Sequence, residues 1–190
     1  MIERLKELIP EFDMIEDSEL KEKCLATWQA AMQEGGWTPD DLMGMPFTLL
    51  IDPCPASILD HVRAVTLSAV AIAEVFAKVY GDQVPVNMDY LLAGGLLHDV
   101  GKLLEYVKLE NGATVQTLAG QLLRHPFTGM ELAARFDLPV EVQHIIAAHA
   151  GEGDKINRTT EATLVNHADF ANFHSIQRLR TKKQLASSMG

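Results

Sequence analysis

Leu96-Leu97-His98-Asp99-Val100-Gly101-Lys102 sets an imidazole and a carboxylate side by side within an otherwise apolar stretch. Read as the inside of a helix, this stretch buries both groups, and a buried charge is costly unless it is paired or bound to a cation. A metal ion answers that demand. Adjacent side chains project about 100° apart on a helix and can grip one ion between them, while Lys102 lies one turn further on. The pair is half of a metal site, and the remaining ligands have to come from elsewhere in the chain.

The surrounding helix is predicted over Tyr90 to about Leu104, capped by Asn87 or Asp89 and apolar nearly all round, hence central and buried. Gly94-Gly95 allows a neighbouring helix to approach closely. Before it, Ser57 with Asp60 is a capping pair, and Val62, Val65, Ala69, Ile72, Phe76 and Val79 recur at helical spacing up to Gly81. His61 lies one turn before Val65 and so points inward, as a ligand or as a hydrogen-bonded core histidine. After it, Tyr106–Leu109 and Thr114–Gln116 flank Asn111-Gly112, a hairpin signal and the one place where β structure is expected. Pro126 suits a first helical turn, which puts His125 at the cap of a helix over Phe127–Phe136. The next helix starts near Pro139, buries Val142, Ile145 and Ile146, and carries His149 on the same row. The last starts near Thr159 or Thr160, with Asp169 among the core residues Val165, Phe173 and Ile176.

Upstream, Ile2–Leu8 and Ser18–Gln33 form amphipathic helices, the second started by Asp17 or Ser18 and stopped by Gly35-Gly36. Thr38-Pro39-Asp40-Asp41 starts another. Pro46–Pro55 is an irregular connection in which no chemistry is visible. The domain organisation expected is an N-terminal helical extension over 1–55 packed on a core domain over 56–180, followed by a flexible tail over 181–190.

Composition bounds the function. A chain of 190 residues, 47% hydrophobic and 6% aromatic, suits one mainly helical domain. A formal charge of -10 and a pI near 5.1 argue against a nucleic-acid polymer, which is held through many Lys and Arg contacts. A small anion is compatible, because screening lets a locally positive pocket exist on an acidic protein. Two cysteines, Cys24 and Cys54, and an apolar stretch at 62–79 interrupted by Arg63, Glu74 and Lys78 point to a cytoplasmic protein without a membrane span.

Six candidate ligands stand on five helices or their ends: His61, His98, Asp99, His125, His149 and Asp169. Imidazole and carboxylate donors without thiolates suit first-row ions such as Fe, Mn, Co, Ni or Zn. Six exceed what one ion takes from side chains, so two divalent ions sharing a carboxylate are expected. His144, His167 and His174 fall off these rows and are structural or exposed. Tyr106 and Met130 are packing residues, and Glu152 either supports a ligand or belongs to a polar loop.

The ordered set His61, His98-Asp99, Asp169, with His98-Asp99-Val100-Gly101-Lys102 in a His-Asp-x-Gly-Lys form, resembles the HD-domain superfamily of metal-dependent phosphohydrolases. His125-Pro126 and His149 resemble its binuclear branch, which includes the HD-GYP phosphodiesterases, although the Gly-Tyr-Pro tripeptide is absent from this sequence. The resemblance covers about Ser57–Ile176 and implies an all-α helical bundle. It also implies that His61, His98, Asp99 and Asp169 hold one ion while Asp99, His125 and His149 hold the other.

The expected activity is that of a phosphomonoesterase or phosphodiesterase on a small phosphate ester or nucleotide, using water whose pKa the metal lowers. Asp99 and Lys102 are the catalytic candidates. Lys102 either neutralises a phosphoryl oxygen or complements a helix dipole in solvent. Arg63 and Arg124 either reach substrate phosphate or form surface salt bridges. The same ligands resemble those of mixed-valent di-iron oxygenases of this superfamily, and a non-catalytic HD sensing module is a third reading.

Overall fold

In chain order the elements are α1 (Ile2–Leu8), α2 (Ser18–Gly35), α3 (Pro39–Leu42), α4 (Ile58–Tyr80), α5 (Met88–Leu97), α6 (Lys102–Glu105), β1 (Tyr106–Lys108), β2 (Thr114–Gln116), α7 (Leu118–Arg135), α8 (Val140–Ala148) and α9 (Thr160–Ser188). These come from a computed structural model that describes the backbone of residues 1–188 and the side chains of residues 1–179. The tail expected over 181–190 lies outside the fully described part.

A helix without a polar face has to be enclosed on all sides, and every residue from Leu91 to Leu97 is buried. Helices α2, α4, α8 and α9 enclose α5. The two glycines admit two of them: a methyl group on Gly94 would meet Ile145 of α8 at 2.5 Å, and one on Gly95 would meet Thr66 of α4 at 2.8 Å. Helix α4 begins at the predicted Ser57–Asp60 capping box and ends at Gly81, whose φ is +55°. Its apolar row leaves the core early, since Phe76 is half-buried and Val79 is 65% exposed.

The helix expected over Tyr90–Leu104 is not continuous. It stops at Leu97, turns through His98–Gly101 and resumes as α6. Within the turn the amide of Val100 donates to Leu97 O and that of Lys102 to Asp99 O, three residues back instead of four. The carbonyl of Leu96, freed by this tightening, accepts from the indole of Trp28 at 2.9 Å, and that of Leu103 accepts from Trp37 at 2.9 Å. Gly101 permits the turn to touch α7, because a Cβ there would lie 2.2 Å from His125 O.

Helix α7 likewise differs from the expected Phe127–Phe136. It starts at Leu118, capped by Thr117, and is interrupted at Arg124, whose φ of 61° and ψ of 148° are non-helical. Pro126 then occupies the first turn after the break, as its missing N–H favours. The hairpin forms as predicted, with Tyr106 opposite Gln116 and Gly112 at φ +83° in the turn. Besides it, a single bridge joins Pro46 to Ser57 among the described residues. The N-terminal helices share one hydrophobic core with α4–α9: Leu5, Phe12, Trp28 and Met32 are fully buried against it.

Candidate metal centre

Each element delivers its group for a local reason. The capping box fixes the start of α4 one turn before His61, the tightened turn presents His98 and Asp99, and the break at Arg124 aims His125 inward. His149 follows the last residue of α8, where Arg158 braces the chain end by donating to Ala148 O at 2.7 Å and Ala150 O at 3.0 Å. Asp169 projects from the third turn of α9.

The carboxylate of Asp99 stands in the middle, and its two oxygens face different partners. Oδ2 lies 3.3 Å from His61 Nε2 and 3.4 Å from His98 Nε2. Oδ1 lies 3.3 Å from His125 Nε2 and 3.6 Å from His149 Nε2. Two metal-competent groups result, His61–His98–Asp99 and Asp99–His125–His149, all of them buried. Asp169 joins the first through His61 Nε2, 3.1 Å from its Oδ1. All six predicted ligands therefore meet.

The protonation pattern fits cations at this centre. His98 Nδ1 donates to Gly95 O at 2.6 Å, His149 Nδ1 to Ile146 O at 2.7 Å, and His125 Nδ1 to Glu105 Oε2 at 2.8 Å. Each ring thus turns a bare Nε2 lone pair toward the carboxylate oxygens of Asp99 and toward another ring. Nε2 of His98 stands 3.4 Å from that of His61, and Nε2 of His125 stands 3.3 Å from that of His149. The lone pairs of His125 and His149, directed at each other in a dry interior, call for a positive ion between them. His61 Nδ1, by contrast, is buried without a hydrogen-bond partner among the described residues, and its ring is stacked on Phe47 at 4.3 Å.

Burial would raise the pKa of Asp99, but Lys102 and the surrounding imidazoles outweigh it and hold the carboxyl well below its ordinary value. Burial would likewise raise Asp169, which His61 and the neighbouring rings instead hold at about 2. For Lys102, the desolvation that would lower its pKa is overcome by Asp99, so the ammonium stays charged. His61 is shifted upward, since its bonds to Asp169 and Asp99 exceed the effect of burial. His125 goes the other way, pushed down to about 4 by burial against the opposing bond to Glu105. It is neutral, and so able to coordinate, at physiological pH.

Lys102 is buried rather than solvated; its Nζ donates to Asp99 Oδ2 at 2.6 Å and to Phe47 O at 2.7 Å. Arg124 borders the same cavity, 3.7 Å from Glu105 and 3.8 Å from Glu152. Arg63 is not brought there: its Nε donates to Glu11 at 2.9 Å, and it does not line the cavity. His144, His167 and His174 also stay away from the centre, His144 accepting from the amide of Thr159 at 3.2 Å.

Two features were not visible in the sequence. The connection at 46–55, which shows no chemistry as sequence, supplies Phe47, Thr48, Leu49 and Leu50 to a cavity of about 290 Å³ at the candidate centre, which Phe170 and Phe173 also line. Tyr106, expected as packing, borders it as well. Glu105 is the second: it is 3% exposed and its Oε2 accepts from both the amide and Nδ1 of His125, at 2.7 and 2.8 Å. The signal for it was a lone acid in the apolar run after Lys102.

A helical scaffold that converges four imidazoles and two carboxylates beneath a small cavity defines a candidate metal centre. The family model that matches is the HD domain, over residues 58–170, a span that contains all six candidate ligands. The chain belongs to the HD-domain family of metal-dependent phosphohydrolases and is an enzyme of that family. It is 30% identical over 185 residues to a dihydroneopterin 2',3'-cyclic phosphate phosphodiesterase of Methanocaldococcus jannaschii, an alignment covering 88% of this chain and 68% of the relative. It is also 31% identical over 113 residues to Ribonuclease Y of Thermosipho melanesiensis, covering 60% of this chain and 18% of that protein. No solved structure matches the chain. Among the described residues no helix is long and apolar enough to cross a membrane.

Proposed function

We propose that this enzyme hydrolyses a small phosphodiester, a cyclic one such as the archaeal relative's name describes, at a centre holding two divalent first-row cations. The observation that carries the reading is Asp99, whose two oxygens each face a separate histidine pair at 3.3–3.6 Å. Cations bound there would supply Lewis acidity and a water of lowered pKa. The protein's own charges support this, since the cavity is lined by Asp99, Glu105 and Asp169 against Lys102 and Arg124. Without added cations such a pocket repels phosphate; two divalent ions make it net positive.

Of the three hydrogens on Lys102 Nζ, two are engaged by Asp99 and Phe47, which leaves one for a phosphoryl oxygen. Arg124, at the cavity's edge, is placed to take a second oxygen. Phe47, Leu49, Leu50, Phe170 and Phe173 form an apolar wall against which the organic part of the ester packs and sheds water. A volume of about 290 Å³ and a charge of -10 favour a small ester over a polymer.

The test is reconstitution of stripped protein with Mn²⁺, Co²⁺, Zn²⁺ or Fe²⁺, assayed against 2',3'-cyclic, 3',5'-cyclic and open phosphoesters with ³¹P NMR of the products. Ring opening of a cyclic diester is expected. A di-iron protein that consumes O₂ and leaves every ester intact would overturn the reading in favour of the oxygenase.

A further inference from the structure

We infer that Glu105 is a positioning residue that selectively tightens the half of the metal centre built on His125 and His149, and that the β-hairpin acts on that half through it. This rests on the two-ion reading above. The carboxylate is fully committed. Oε2 accepts from the backbone amide and from Nδ1 of His125 at 2.7 and 2.8 Å, and Oε1 accepts from Gln116 Nε2 of β2 at 2.7 Å. The residue's own carbonyl accepts from the amide of Thr117, the cap of α7, at 2.9 Å. One acid therefore ties together the end of α6, the hairpin and the break in α7.

Each bond does something different for His125. The Nδ1 bond fixes the tautomer and swings the Nε2 lone pair toward Asp99 Oδ1, and an anionic acceptor makes that lone pair a stronger donor to a cation. The amide bond holds the backbone directly after Arg124, whose φ of 61° a non-glycine residue rarely adopts. Gln116 orients the carboxylate so that both bonds form at once. His61 and His98 receive nothing from Glu105: His98 Nδ1 uses Gly95 O, and His61 Nδ1 has no hydrogen-bond partner among the described residues. The effect should fall on one cation and spare the other.

The test is titration of stripped protein with Mn²⁺ alone, with bound ions counted by the loss of the free-Mn²⁺ EPR signal and the pair recognised by its spin coupling. Glu105→Gln, whose amide oxygen replaces one acceptor and whose NH₂ cannot replace the other, is expected to leave the first binding step unchanged. It should weaken the second about 10- to 100-fold, with loss of the coupled signal at intermediate Mn²⁺. Gln116→Ala, on the half-buried hairpin, removes only the orienting bond and should weaken the same step about fivefold, so the inference stays testable if Glu105→Gln does not fold. Parental affinities in both variants, or an equal fall in both steps, would overturn it. A parent chain that binds a single ion would overturn the two-ion reading and this inference with it.

Discussion

Asp99 and Lys102 illustrate what a buried charge requires. Each would be expelled from the interior alone, and each is held charged by the other across 2.6 Å. Removing Asp99 by itself would strand an ammonium at a buried site, a loss of about 3–5 kcal/mol that would confuse unfolding with loss of metal. The double variant Asp99→Asn with Lys102→Met avoids this. It is expected to fold, by far-UV circular dichroism, and to bind fewer than one ion per chain by elemental analysis, because the two histidine pairs lose their common ligand. Retention of two ions would show that Asp99 does not bridge. The His98-Asp99 pair announced itself in the sequence because a charged residue in an apolar run is physically expensive. Glu105 gave the same local signal, a lone acid in an apolar run, but nothing in the sequence linked it to a histidine twenty positions on.

At the scale of elements, the two breaks in helical geometry matter more than the helices. Periodicity located α4, α5, α8 and α9, and turn residues located the hairpin, since these signals are local. The interruption at His98–Gly101 and the one at Arg124 depend on contacts across the fold: the indoles of Trp28 and Trp37 accept no alternative explanation from local sequence, and Gly101 is needed because of a carbonyl in α7. Backbone strain at Arg124 costs about 1–3 kcal/mol and is retained beside the candidate ligand His125. Arg124→Gly is therefore expected to raise thermal stability, by about 1 kcal/mol after the larger chain entropy of glycine is deducted. The same change should lower turnover through loss of the guanidinium at the cavity's edge. A variant with unaltered turnover and a lower melting temperature would remove Arg124 from the site and deny the strain.

For the whole molecule, the centre lies where four helices, the α6 turn and the 46–55 connection meet, so metal and fold are linked. Stripping the ions should lower the melting temperature, and adding Mn²⁺ back should raise it in proportion to the logarithm of its concentration. Acid adds a second effect. In the stripped protein the pKa of His125 is depressed to about 4 from its ordinary 6.5. Between those values the unfolded chain takes up a proton that the folded chain refuses, so stability falls as pH drops from 6.5 toward 4. A calorimetric series should show this slope in the parent and a shallower one in His125→Gln; equal slopes would place the loss elsewhere. The 46–55 connection was illegible for a related reason: its role depends on what lies beneath it, and an irregular segment carries no periodicity from which its facing could be read.

Both tryptophans of the chain bond to carbonyls at the two ends of the segment that carries His98 and Asp99, Trp28 to Leu96 and Trp37 to Leu103. The enzyme thus contains its own candidate optical gauge: each indole is tied by its N–H to the backbone at one end of this segment, and loading the centre is expected to change its emission. Emission intensity and wavelength are expected to follow the metal titrations described above, and an emission that does not move on loading would deny the coupling.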